Sequence, residues 1–138
     1  MKDIWNWVQV AFAAIGGTLG WFLGGLDGFL YALIAFVAVD YITGVLRAIV
    51  EKKLSSRVGA QGIAKKVAIF LVVGVAHLLD TYVLGGTGAV LRTAVIFFYI
   101  ANEGVSLLEN TTAIGLPVPE KLKDVLVQLH GKDGGETK

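Results

Sequence analysis

The sequence predicts an all-α integral membrane protein, a helical bundle of about four transmembrane helices followed by a short C-terminal amphipathic helix. Three observations carry that expectation. Hydrophobic residues make up 55% of the 138 positions and charged residues only 17%, against roughly a quarter charged in soluble domains. Mean hydropathy is +0.70, too apolar for a small globule, which still exposes about a third of its surface. The apolar residues also gather into four runs, each near the roughly 20 residues that cross a bilayer.

The first run, Ile4 to Leu26, has no ionisable group, and only Asn6, Gln9 and Thr18 are polar. Asp3 follows Lys2 at once and Trp5 and Trp7 open the run, so it reads as a structural helix rather than a removable signal. Five glycines (Gly16, Gly17, Gly20, Gly24 and Gly25) lower its helix propensity. A span is expected, and a helix lying at the interface, anchored by its tryptophans, is the alternative. Phe29 to Leu46 carries one charge, Asp40; Val67 to Leu84 holds His77 and Asp80; Ala89 to Leu108 holds Arg92 and Glu103. Glycine turns at 25–28 and 85–88 join the runs as hairpins. The expected spans are about 4–26, 29–50, 64–84 and 89–110, within a transmembrane domain of residues 1–116.

Between the second and third runs, residues 51–66 form an expected basic loop with Lys52, Lys53, Arg57, Lys65 and Lys66. Basic loops stay in the cytoplasm, so an even number of spans places both termini there too. Residues 117–138 are the expected cytoplasmic appendage. Pro117 and Pro119 stop the last span, Leu122, Val125, Leu126 and Leu129 recur at helical spacing, and Gly131 is the expected C-cap before a solvated tail.

Ionisable groups inside spans cost about 2.5–3.5 kcal/mol each at a helix centre, so each needs a partner or water. Arg92, Tyr99, Asn102, Glu103, Ser106, Glu109 and Asn110 share one face of the fourth run, opposite Ala94, Phe98, Ala101, Val105 and Leu108. With Asp40, that stripe is expected to be either a buried polar seam or the lining of an aqueous lumen. Asp80 and Arg92 stand at similar distances from the second glycine turn, which predicts an ion pair. Asp40, Gly44 and Arg47 share a face of the second run. Gly16, Gly20 and Gly24 form two overlapping G-x-x-x-G repeats, which predict a close helix–helix contact and self-association.

Several chemistries are not expected. Cysteine is absent and His77 and His130 are the only histidines, so neither a disulfide framework nor a zinc site is expected. Phosphate-binding, metalloprotease and serine-hydrolase motifs are missing, which predicts no enzyme and no cofactor. A net charge of +1 carries no nucleic-acid signature. Gly59-Ala60-Gln61-Gly62 matches a G-x-x-G string only in a loop reading.

The string Asp40-Tyr41-Ile42-Thr43-Gly44 resembles the second-helix motif of the toxin-secretion/phage-lysis holin family. Leu54-Ser55-Ser56, Gly59, Gly62 and Lys65-Lys66 resemble its basic loop, and Leu79-Asp80 its third helix. Phe98 to Glu103 with Ser106 and Glu109-Asn110 resembles the fourth, and Gly115 to Pro119 followed by Leu122 the C-terminal motif. The likeness runs in order from about Asp27 to Leu129, while Ile4 to Leu26 matches no motif. It implies a small multi-pass protein of the bacterial cytoplasmic membrane. Such a protein forms homo-oligomers in the lipid bilayer and opens a pore or lesion. A functionally coupled endolysin or large toxin then leaves through it, without necessarily binding it. The competing classes are a small transporter or ion channel using intramembrane carboxylates, and a membrane scaffold that recruits a partner through the 119–131 helix.

Overall fold

The computed structural model describes residues 1–86 and 88–134, and in these it is helical with no strand. Five helices follow in order: α1 (Lys2–Leu23), α2 (Gly28–Val50), α3 (Ser56–Leu78, continued by a π-helical turn over Leu79–Val83), α4 (Val90–Ile114) and α5 (Glu120–Gly134). Three segments are long and apolar enough to cross a membrane: Gly28–Val50, Ser56–Val83 and Val90–Ile114. Helix α1, expected as a span, is not among them, because glycines, tryptophans, Asn6 and Gln9 dilute its hydropathy.

Helices α2, α3 and α4 form an up-down-up bundle around Leu30, Leu33 and Val37 of α2, Ile69 and Val73 of α3, and Ile96 and Ile100 of α4. These positions recur every three or four residues, the spacing that keeps one helix face turned inward. The outward faces remain apolar: Ile42, Leu46, Leu71 and Val75 are all exposed. An apolar exterior of this extent matches lipid, not water, as solvent.

Helix α4 is central. It packs on α2, α3 and α5, so Ala101 and Leu108, read from the sequence as the face opposite the polar stripe, are buried as well. After the left-handed cap at Gly115 (φ 102°) the chain turns back and α5 lies against α4. There Leu126 is buried against Gly104, next to Phe36. Helix α5 continues to Gly134, past the expected cap at Gly131; the remainder of the expected tail, 135–138, lies outside the described residues.

One boundary and one set of contacts differ from expectation. The loop expected over 51–66 is only 51–55, because the Ser55 hydroxyl accepts from Val58 N–H (3.1 Å) and starts α3 more than two turns early. Gly59 and Gly62 are therefore helical and lie against the ring of Tyr41, whose hydroxyl donates to Gly59 O (3.4 Å). The G-x-x-x-G glycines are also placed differently. A Cβ on Gly16 or Gly20 would meet no other part of the chain within 4 Å, and Gly24 is the left-handed C-cap of α1 (φ 86°) beside Arg92 and His77. The close contact of α1 falls elsewhere, where the ring of Phe22 covers Gly74 of α3.

That difference makes a prediction. Gly74→Leu is expected to expel Phe22 and lower the melting temperature in detergent, at the roughly 1–3 kcal/mol typical of an overpacked contact. Gly20→Leu is expected to leave the melting of the isolated chain unchanged. Equal melting of the two variants would remove Phe22–Gly74 as the α1 anchor.

Candidate functional site

Charged side chains meet in two layers, one toward each end of the bundle. In the first, Lys66 Nζ donates to Glu103 Oε1 (2.5 Å) and also binds Asp40 Oδ2. The three side chains are only 18%, 7% and 6% exposed for Lys66, Asp40 and Glu103. Each comes from a different helix, ten or eleven residues from the ends at Val50, Ser56 and Ile114. At 1.5 Å per residue that is about 15 Å inside the bundle. Asn110 closes the layer, donating from Nδ2 to Asp40 Oδ1 (3.0 Å) and Thr43 Oγ1 (3.1 Å) while its Oδ1 accepts from Arg47 (3.5 Å). Gly44, one turn from Asp40, gives Asn110 the space to approach.

Lys66 was expected in the basic loop and is instead the cation of this layer. Arg57 and Lys65 likewise stand on α3, and only Lys52 and Lys53 remain in the loop. The signal was present in the sequence. Ser55 is a good N-cap and no proline interrupts residues 56–66, so a helix starting there carries Lys66 inward.

The second layer surrounds Arg92, which is 3% exposed. Its guanidinium donates to Leu23 O (2.6 Å), Gly25 O (2.9 Å) and Asp27 Oδ2 (2.8 Å). The expected Asp80–Arg92 side-chain pair is not formed. Asp80 instead accepts from the backbone N–H groups of Leu91 (3.0 Å) and Arg92 (2.8 Å), capping α4 from outside it. The physical reason is local. The N-cap residue of α4 is Ala89, which makes no side-chain cap, and the π-helical turn places Asp80 below those free donors. Arg92 then extends away toward the carbonyl-rich end of α1, where a cation is favoured. Asp27 caps α2 through Leu30 N–H (2.9 Å), and the Arg92 hydrogen bond holds its carboxyl below the ordinary value of 3.8. Among the described residues no buried side-chain nitrogen or oxygen lacks a partner.

The polar stripe of α4 therefore divides. Arg92, Glu103 and Asn110 are buried and paired, as is Asp40 opposite them. Tyr99, Asn102, Ser106 and Glu109 line an open groove of about 600 Å³ between α3 and α4, with Lys65 on its other wall. Asp40, Lys66 and Glu103 of the ionic layer also line this groove. The arrangement combines a fixed ionic core with an uncovered polar groove.

The bacteriophage holin family matches residues 17–131, a stretch that includes both charged layers, the groove and most of α5. An uncharacterized 14.9 kDa protein in the nagH 3' region of Clostridium perfringens is 42% identical over 96% of this chain and 99% of its own length. An uncharacterized protein of Listeria innocua is 40% identical over 94% of this chain and 91% of its own. A protein of Bacillus phage phi105 named "Probable holin" is 36% identical over 84% of each chain. No solved structure matches. On the length of the family match and the near-complete coverage of these relatives, the chain belongs to the bacteriophage holin family.

Proposed function

We propose that this protein is a phage-type holin that oligomerises in the bacterial cytoplasmic membrane and opens a lesion through which a cell-wall hydrolase or large toxin leaves. The family match over residues 17–131 carries the reading. The open groove supports it: Tyr99, Asn102, Ser106 and Glu109 form a polar surface that lipid does not satisfy, as a membrane protein built to meet copies of itself requires. With α1 as a fourth span, the 51–55 loop and both termini are cytoplasmic in this reading, with Lys52 and Lys53 as the inside charge. Residues 117–138 are then the cytoplasmic part.

Co-expression with a cell-wall hydrolase that lacks its own export signal tests the function. The expected result is abrupt lysis with hydrolase activity in the medium, which neither protein gives alone. Proton-coupled movement of a small solute with no hydrolase released would overturn the reading in favour of a transporter.

A further inference from the structure

Two surfaces of the chain are left without partners, and they match. One is the α3–α4 groove. The other is α1, of which residues 1–19 are all exposed. Around α1 the residues Asn6, Gln9, Ala13 and Gly16 share one face, at the i, i+3, i+7 and i+10 spacing of a helix seam. The face is polar at one end and small at the other. Tyr99, Asn102, Ser106 and Glu109 have the same spacing along α4.

The depths of the two sets agree. Arg92 Nε binds Leu23 O at 2.6 Å, so the start of α4 and the end of α1 meet at the same end of the bundle and give a common origin for counting along the two helices. Gly16, Ala13, Gln9 and Asn6 lie 7, 10, 14 and 17 residues before Leu23, while Tyr99, Asn102, Ser106 and Glu109 lie 7, 10, 14 and 17 residues after Arg92. An α1 running antiparallel to α4 thus places Gly16 beside Tyr99 and Ala13 beside Asn102, small against large. Gln9 comes beside Ser106 and Asn6 beside Glu109, polar against polar. Lys2 lies on the same face one turn beyond Asn6, within reach of the exposed Glu109.

The chain's own α1 is on the wrong side to fill the groove. Phe22 fixes it to Gly74, nine residues from Lys65 and two from Val72. At about 100° per residue Gly74 is therefore half a turn around α3 from those groove-lining positions. We infer that the α3–α4 groove is the docking site for the α1 helix of a second copy of this chain. The inference deepens the holin reading and rests on its oligomeric membrane form. It also accounts for α1 standing outside the helices apolar enough to cross a membrane by length and composition alone. A span whose polar and small face is seated on a neighbour needs less apolar surface, since close packing at small residues and interhelical hydrogen bonds hold membrane helices together.

The absence of native cysteine allows a direct test in membranes of cells making the full chain. Differently tagged Gln9→Cys and Ser106→Cys chains are co-expressed and oxidised, with Ile15→Cys, on the opposite face of α1, paired with Ser106→Cys as the control. The expected result is a disulfide-linked heterodimer severalfold stronger for Gln9→Cys than for Ile15→Cys. A single chain carrying both Gln9→Cys and Ser106→Cys should link into a ladder of oligomers. Equal yields at the two α1 positions, a disulfide closed within one chain, or links only between two Gln9→Cys residues would each overturn the inference. Hydrolase release without the preferred cross-link removes the docking site and leaves the holin reading standing. The cross-link without release does the reverse.

Discussion

Lys66→Met is expected to deplete the protein from the membrane. Lys66 is the cation between Asp40 and Glu103, and both carboxylates are more than nine-tenths buried. Removing it leaves two like charges facing each other in a low-dielectric layer. Breaking a buried ion pair from one side costs about 3–5 kcal/mol, a large share of the roughly 5–15 kcal/mol that holds a small domain folded. The loss follows from stranded charge and not from lost packing, which a second variant tests. Lys66→Met combined with Asp40→Asn and Glu103→Gln removes all three charges at near-constant volume. Asparagine at 40 keeps an oxygen for Asn110. The triple variant is expected to recover most of the accumulation, while Lys66→Met alone is degraded. Immunoblots of the membrane fraction and melting in detergent check both. Wild-type melting of Lys66→Met would show that the layer contributes little to the fold.

The second large effect is expected at Arg92. Arg92→Gln frees two carbonyls at the end of α1 and the Asp27 carboxylate together, so the turn between α1 and α2 loses its tie to α4. A fall in melting temperature comparable to that of Lys66→Met is expected, because this guanidinium is buried and makes charge-assisted bonds. Asp27→Asn should cost much less: its side chain is 47% exposed, and solvent screens such a pair. Asp80→Asn acts separately, by weakening the cap on α4. Exchanging Asp80 and Arg92 is therefore expected to give no rescue. Recovery in that exchange would restore the direct pair that the sequence suggested.

Acid gives the same site a sign. The Asp27 carboxyl is lowered by Arg92, so its contribution is complete above the ordinary value of 3.8 and is lost as pH falls below that value through the lowered one. The melting difference between wild type and Asp27→Asn should be constant above that value and shrink below it. A difference that grows with acidity would contradict the Asp27–Arg92 bond.

Much of this protein was legible in the sequence alone. Apolar run length identified α2, α3 and α4 as membrane-competent, because a run of that kind has one low-energy solvent. The need of an intramembrane charge for a partner identified Asp40, Arg92, Glu103 and Asn110 as interacting residues before any partner was known. Periodicity put the α4 stripe on one face. The motifs from Asp27 to Leu129 resembled the holin family, to which the chain belongs.

Which partner each charge takes was a different matter. Asp80 and Arg92 had matching distances from a turn, but a backbone N-terminus competed for the carboxylate and a helix C-terminus for the guanidinium, and nothing in the sequence says which of these ends comes within reach. Lys66 moved from loop to core because one hydroxyl, that of Ser55, starts α3 early. Of the three motif glycines of α1 only Gly24 meets distant side chains, those of Arg92 and His77, while Gly74 of α3 makes a close contact through Phe22. Sequence fixes what a residue requires, such as an apolar solvent, a counter-charge or a close neighbour. Only the tertiary structure decides who supplies it, because that depends on which groups from distant segments reach the same few ångströms first.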